Sequence, residues 1–259
     1  MKDYLMEAID ESGLEIAHTA ATPARRTLFE VDPRAAPLKA DRFDTFRSVV
    51  MKLLYVALRA RMDLLLAISF LSTRISKSTV EDEGKRRRVL EYIKGAADLE
   101  YELGADHLSS FTTWVDASYA THPDMKSHTG GLISFGTGAL LCKSNKQKLN
   151  STRSSTEAEV VGTSDYLPNT LWVQLFMNAQ GNPMQKTYFE QDNESAIKLE
   201  RNGRVSAGPK SPHIDIRYFW IKVRIKSAKV DVRHCPTLRM IADFLRNLSK
   251  ATFSDFSEA

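Results

Sequence analysis

The stretch Thr112-Thr113-Trp114-Val115-Asp116-Ala117-Ser118 constrains this chain more than any other. β-Branched and aromatic residues crowd it, and Thr112 and Trp114 alternate with their neighbours. It reads as a buried strand that delivers a carboxylate at its end. Three more acids follow at motif-like sites. They are Glu159 in Ser154-Ser155-Thr156-Glu157-Ala158-Glu159, Asp192 in Phe189-Glu190-Gln191-Asp192-Asn193, and Asp243 in Ile241-Ala242-Asp243-Phe244-Leu245. An acid at a strand end, one on a helix, one at a later strand end and one near the C-terminus is the order needed to hold two divalent ions on a phosphodiester. Mg²⁺ prefers such oxygen ligands, and crowded carboxylates repel one another without a cation.

Each acid also has a plainer reading. Asp116 after a strand suits a turn or cap. Asp192-Asn193 before a helix suits an N-cap. Asp243 sits among Ile241, Phe244 and Leu245, which suggests partial burial, yet one acid on an amphipathic helix usually faces solvent. Glu157 and Glu159 point about 200° apart on a helix, so one of them faces the sheet end. Glu159 shares its face with Gly162 and Thr163, whose small size permits close approach to a strand, and is the chosen ligand. Glu157, beside Val160 and Val161, is the fallback.

The rest of the chain supplies the frame. Residues 1–43 have weak periodicity and three prolines, Pro23, Pro33 and Pro37, and read as irregular with a short helix near the start. From 44 to 71 apolar residues recur at helical spacing, divided near Arg59-Ala60-Arg61-Met62-Asp63. Ser78-Thr79-Val80-Glu81 has capping-box spacing and opens a further helix that ends near Gly95. Strands are expected at 111–117, at 130–135 and 139–143 around Gly136-Thr137-Gly138, at 187–191 and at 230–234. Helices are expected at 156–180, broken near Pro168, and at 194–202, 214–227 and 237–248. That order describes a mixed α/β sheet layered by helices. The segments are 1–43, a helical stretch 44–105, the α/β domain 108–250 and a tail 251–259.

Two cysteines, Cys142 and Cys235, exclude a disulfide framework or cysteine-based zinc site. An N-terminus carrying Asp3, Glu7, Asp10 and Glu11 does not read as a signal peptide. Charges interrupt the most apolar run, so no membrane span is expected. The chain therefore reads as intracellular, cytoplasmic or nuclear. Net charge is +4, and its distribution matters more than its size. Lys143, Lys146, Lys148 and Arg153 cluster without an acid, and from 198 to 233 ten Lys and Arg face Glu200, Asp215 and Asp231. Such a skew suits a phosphate backbone or, equally, a solvated basic surface. His122 and His128 read as loop histidines.

Several motifs together resemble the C-terminal part of the copia-type retrotransposon polyprotein. They include Lys126-Ser127-His128-Thr129-Gly130-Gly131, Ser144-Asn145-Lys146-Gln147-Lys148, Ser154-Ser155-Thr156-Glu157-Ala158-Glu159, Gln191-Asp192-Asn193-Glu194-Ser195-Ala196-Ile197, His213-Ile214-Asp215-Ile216-Arg217-Tyr218-Phe219 and Ala242-Asp243-Phe244. Their order is similar to that of the family's ribonuclease H domain. Met51-Lys52-Leu53-Leu54-Tyr55 and Ser69-Phe70-Leu71-Ser72 resemble the helical connection that follows a reverse transcriptase palm.

The resemblance implies a ribonuclease H-like five-stranded sheet with flanking helices, preceded by that helical remnant. It implies that Asp116, Glu159, Asp192 and Asp243 are catalytic and bind two Mg²⁺ ions, for which Mn²⁺ substitutes. The activity implied is cleavage of the RNA strand of an RNA–DNA hybrid. Lys143, Lys146, Lys148, Arg153 and His213 would contact nucleic acid, and a palm absent from this chain would be a partner. For His213 and Asp215 a structural role at the helix start stays open beside a substrate contact. Two departures stand out. Arg246-Asn247-Leu248-Ser249 replaces the family's Thr-Lys-Pro-Leu run, and Leu238-Arg239 replaces an acidic stretch. No Asp-Asp pair occurs, so polymerase activity is not expected. The alternative is a non-catalytic remnant that binds nucleic acid. The helical stretch, exposing an apolar face that a palm would cover, is expected to associate with itself unless it packs on the α/β domain.

Overall fold

A computed structural model describes residues 1–148, 152–202 and 212–246; for 212–215 and 218 it describes the backbone alone. Its contacts divide these residues into two units, Met1–Tyr101 and Glu102–Arg246.

The first unit is helical. Helices α1 (Lys2–Glu11), α2 (Ala40–Ala57), α3 (Leu65–Ser72) and α4 (Val80–Gly95) surround Phe46, Val49, Leu53, Ile68, Phe70, Leu90 and Ile93. The weakly periodic segment 1–43 contributes to this core, since Leu5, Ile9 and Leu28 are buried. A short 3-10 turn, Met62–Leu64, divides α2 from α3 near the expected place. The capping box falls one residue later than expected. Thr79 accepts from the Asp82 backbone N–H, and the Asp82 carboxylate accepts from that of Thr79 at 2.9 Å. Asp82 is fixed there because it also pairs with the buried Arg74 at 3.1 Å, whereas Glu81 is engaged by Lys85 and the Asp32 N–H. Met51 and Tyr55, four apart on α2, and Leu58 at its C-cap are exposed.

The second unit is a mixed five-stranded sheet. Its strands are β1 (Ser110–Ser118), β2 (His128–Ser134), β3 (Leu141–Lys146), β4 (Lys186–Gln191) and β5 (Val230–His234), in the spatial order β3-β2-β1-β4-β5. β1, β2 and β3 pair antiparallel, and β4 and β5 run parallel to β1. Helices α5 (Ser155–Ala179), α6 (Glu194–Asn202) and α7 (Pro212–Ala228) connect the parallel strands. This is the ribonuclease H-like sheet that the motifs imply. Phe111 and Val115 of β1 join Ile133, Val160, Leu167, Val173, Phe189, Ile197 and Ile221 in one core. By the alternation of a strand, Trp114 lies on the other face, where it packs with Cys235, Met240 and Ala242.

Gly130 and Gly131 let both faces of β2 be approached closely. A Cβ on Gly131 would stand 2.5 Å from Tyr166 Cε2 on α5, and one on Gly130 would stand 2.7 Å from Leu245 Cβ. Without these glycines neither α5 nor the C-terminal turn could seat where it does.

Two helix expectations are corrected. α5 runs unbroken over 25 residues with Pro168 inside it. Pro168 is exposed and Ser164, whose carbonyl loses its bond, is half-buried. An interior proline costs about 3 kcal/mol. The buried Val160, Leu167 and Val173 of the same helix, at roughly 1.5–3 kcal/mol each, outweigh it. The helix expected at 237–248 is instead two 3-10 turns, Thr237–Arg239 and Ile241–Leu245, with 247 and 248 outside the described residues. Met240, Ala242 and Leu245 are all buried, and one α-helical face cannot present that spacing.

Candidate active site

Three of the four acids meet at one end of the sheet. Asp116, Glu159 and Asp192 each offer an oxygen within 4.8 Å of the others. A cleft of about 510 Å³ is lined by Glu159 and Asp192 together with Ser118, Tyr119, Ser155, Asn193 and Arg246.

Local structure explains each placement. Asp116 comes from the end of β1, opposite Gly130, and is fully buried. Glu159 reaches back from the first turns of α5 and accepts from the Ala117 N–H at 3.0 Å. The approach is close because α5 presents Gly162 there, and a Cβ on it would lie 3.2 Å from Thr129 and 3.5 Å from Ala117. Glu157 is used differently. Its carboxylate accepts from the Arg153 N–H at 2.6 Å, while Ser154 caps α5 by accepting from the Glu157 N–H. The helix cap thus occupies Glu157, and Glu159 faces the sheet.

The Asp192-Asn193 ambiguity resolves in the same way. Asn193 Oδ1 accepts from the Ala196 N–H at 3.0 Å and so caps α6. Buried Gln191 accepts from the backbone N–H of Asp192 at 2.9 Å, and the Asp192 carboxylate lines the cleft, where its Oδ2 accepts from the Thr237 hydroxyl at 3.4 Å. Sequence reading had no signal for this role of Gln191.

Asp243 joins the group through an arginine. The Arg246 guanidinium donates from Nε to Asp116 Oδ2 and stands 2.9 Å from Asp243 Oδ1 through Nη2. The other Asp116 oxygen, Oδ1, is buried with no hydrogen-bond partner among the described residues.

The electrostatics follow from crowding and burial. Desolvation pushes the Asp116 carboxyl up to about 7, against Arg246, with Asp192 and Asp243 adding to the rise. Burial, then the neighbouring Asp116 and Asp192, pushes Glu159 well above the usual carboxylate range. Despite the cost of its own burial, Arg246 holds its proton more tightly because Asp116 and Asp243 flank it. A set of carboxylate oxygens with an orphaned buried Asp116 oxygen fits a hard divalent cation, which takes oxygen ligands and offsets such repulsion.

The basic residues do not form one face. Lys143 and Lys146 are three apart on β3 and project from opposite faces of the sheet. Lys143 donates to Asn169 Oδ1 on α5 at 2.7 Å, and Lys146 pairs with Asp124 at 2.6 Å. Lys148 and Arg153 are exposed. His213 and Asp215 stand at the start of α7, and their side chains lie outside the described residues.

His122 lies in the loop before β2, as expected, whereas His128 is the first residue of β2. Both are buried, and the hydrogen bonds run in one direction through them. His122 Nε2 donates to His128 Nδ1 at 2.9 Å, His128 Nε2 donates to Ser144 Oγ at 2.7 Å, and Ser144 Oγ donates to Leu245 O at 2.6 Å. The direction follows from Leu245 O, which can accept but not donate. The relay ties β2 and β3 to the turn that carries Asp243 and Arg246. Burial holds both rings neutral, with His122 down to about 4 and His128 to about 3.

No helix among the described residues is long and apolar enough to cross a membrane. No family model matches the chain. It is 29% identical over 202 residues to the retrovirus-related Pol polyprotein from transposon TNT 1-94 of Nicotiana tabacum, over 77% of this chain and 15% of that protein. To the corresponding polyprotein from transposon RE2 of Arabidopsis thaliana it is 28% identical over 214 residues, covering 82% of this chain and 14% of that protein. It therefore spans a small part of the polyproteins it matches. Among solved structures, the foamy viral protease-reverse transcriptase in complex with RNA/DNA hybrid aligns with a TM-score of 0.50 at 13% identity, over 95% of this chain and 28% of that one. The chain is thus similar to the retrovirus-related Pol polyproteins of plant transposons over a small part of their length, and it carries a ribonuclease H-like sheet preceded in sequence by a helical unit.

Proposed function

We propose that this chain is a Mg²⁺-dependent endonuclease of the ribonuclease H type that cuts the RNA strand of RNA–DNA hybrids. The observation that carries this reading is the meeting of Asp116, Glu159 and Asp192 within 4.8 Å, with one Asp116 oxygen buried and unpartnered. These three would hold the cation, with Mn²⁺ as a substitute, and Asp243 would complete the acidic set beside Asp116, across the Arg246 guanidinium. When bound, the cation supplies Lewis acidity to the phosphoryl group.

The chain's own residues position and shield. β1 and the Gln191 amide fix the Asp116 and Asp192 backbones, and the Ala117 N–H fixes Glu159. Lys148 and Arg153, both exposed, are the cations best placed to meet backbone phosphates. Selection of RNA would come from contacts to the 2′-hydroxyl. The hybrid in the foamy viral complex supports that substrate class. The helical unit is read as the connection of a reverse transcriptase, with a palm outside this chain as its partner, in an intracellular setting. The exposed Met51, Tyr55 and Leu58 support a partner at that unit.

The test is hydrolysis of an end-labelled RNA–DNA hybrid in Mg²⁺ or Mn²⁺. Asp116→Asn should abolish cleavage while sparing hybrid affinity. A second reading, a non-catalytic binder of nucleic acid, is favoured by the Arg246 contact, which already neutralises Asp116. If the unmutated chain binds hybrid yet never cuts it in either metal, that second reading stands.

A further inference from the structure

We propose that Arg246 takes the place of one divalent cation, so that the site holds a single ion on Asp116, Glu159 and Asp192. This inference rests on the metal-dependent reading above.

Asp116 belongs to two acidic sets. In one it meets Glu159 and Asp192 within 4.8 Å. In the other it shares the Arg246 guanidinium with Asp243. A second divalent ion bridging Asp116 and Asp243 would have to occupy the ground of that guanidinium, and like charges at such range repel strongly. The first set is differently placed, because Asp116 Oδ1 is buried and has no hydrogen-bond partner among the described residues.

The arginine is held where it is. Its backbone N–H donates to Asp243 O at 3.1 Å. The preceding Leu245 carbonyl accepts from Ser144, and the Leu245 side chain seats against Gly130. The Arg246 side chain is 18% exposed, so the turn delivers it into the cluster and not to solvent. A methionine here would keep the length of the stem and lose the charge.

The test is Mn²⁺ binding to the full chain, counted by isothermal titration and by the loss of the free-ion spectrum. The inference expects one Mn²⁺ per chain in the unmutated protein and in Arg246→Lys, and two in Arg246→Met. Tryptophan fluorescence would verify that each variant is folded. Two ions in the unmutated protein would overturn the inference while leaving the metal-dependent reading standing. One ion in both the unmutated protein and Arg246→Met would also overturn it, since the arginine would then displace nothing. No ion in any variant would overturn the metal-dependent reading and this inference together.

Discussion

Glu200 offers a direct test of the packing around α6. It lies near the end of that helix and is fully buried. Burial pushes its carboxyl from 4.5 up to about 7, against smaller pulls from the Thr163 hydroxyl and Arg201. Below pH 4.5 the folded and unfolded chains are both protonated at this site and it contributes nothing to the pH dependence. Between pH 4.5 and about 7 the unfolded chain has released the proton while the folded chain retains it, so stability falls as pH rises. Above about 7 the loss is complete, and the gap between the two carboxyl values makes it roughly 3 kcal/mol. Glu200→Gln removes the titration. Its amide needs its own partners, which adds a constant offset of about 1–3 kcal/mol to the comparison. The diagnostic quantity is therefore the change with pH. Relative to the unmutated chain, the variant should gain about 3 kcal/mol between pH 4.5 and 8. Urea unfolding followed by tryptophan fluorescence reads this unit alone, because Trp114, Trp172 and Trp220 all lie within Glu102–Arg246. A difference between variant and parent that stays constant from pH 4.5 to 8 would refute the reasoning, since Glu200 would then titrate alike in both states.

The other predictions concern the glycines and the buried histidines. Gly131→Ala drives a methyl into the Tyr166 ring and should destabilise the sheet unit by about 1–3 kcal/mol, read as a lower urea midpoint. Gly84→Ala, on α4 with nothing within 4 Å of the new methyl, should instead stabilise the helical unit by about 0.5–1 kcal/mol, read by far-ultraviolet circular dichroism. The histidine pair sets an acid limit. The unfolded rings gain protons below about 6.5 while the folded ones stay neutral down to about 4 and 3, so stability falls as pH drops through 6.5. His122 alone accounts for about 3 kcal/mol of that loss. A His122→Phe variant whose stability falls as steeply between pH 6.5 and 4 as that of the parent would contradict this.

Elements governed by their own residues were legible in the sequence. Val230 and Val232 alternate inward along β5, and Asn202 ends α6 one residue before a glycine, so both ranges could be read from pattern and stop signal. Pro168 misled because its penalty is local, whereas what offsets it is the packing of Val160, Leu167 and Val173 on strands far away in the chain. The turn at Ile241–Leu245 misled for a related reason. Its apolar residues follow the shape of the sheet face they cover and obey no period of their own. The histidine relay was invisible because its continuation runs to Ser144, 16 residues past His128, and then to Leu245, 101 residues further on.

The candidate site divides along the same line. The preference for Glu159 over Glu157 rested on the small residue Gly162 beside it, and that glycine is where α5 comes closest to β1 and β2. What the acids alone could not reveal is that their neighbourhood includes a cation of the chain's own. Arg246 registered as a departure in the motif, and its meaning depends on Gly130, which stands more than a hundred residues earlier. Since a Cβ at Gly130 would collide with Leu245 Cβ and with the Ala242 carbonyl, any side chain there must lift the C-terminal turn. Lifting it would withdraw Asp243 and Arg246 together. The acid pair around Asp116 and its arginine counter-ion therefore depend on one glycine in the strand opposite, and Gly130→Ala should detach both while leaving Glu159 and Asp192 on their own supports. Mn²⁺ titration of that variant beside Arg246→Met separates the two contributions, because Arg246→Met leaves Asp243 in place near Asp116 and Gly130→Ala withdraws it.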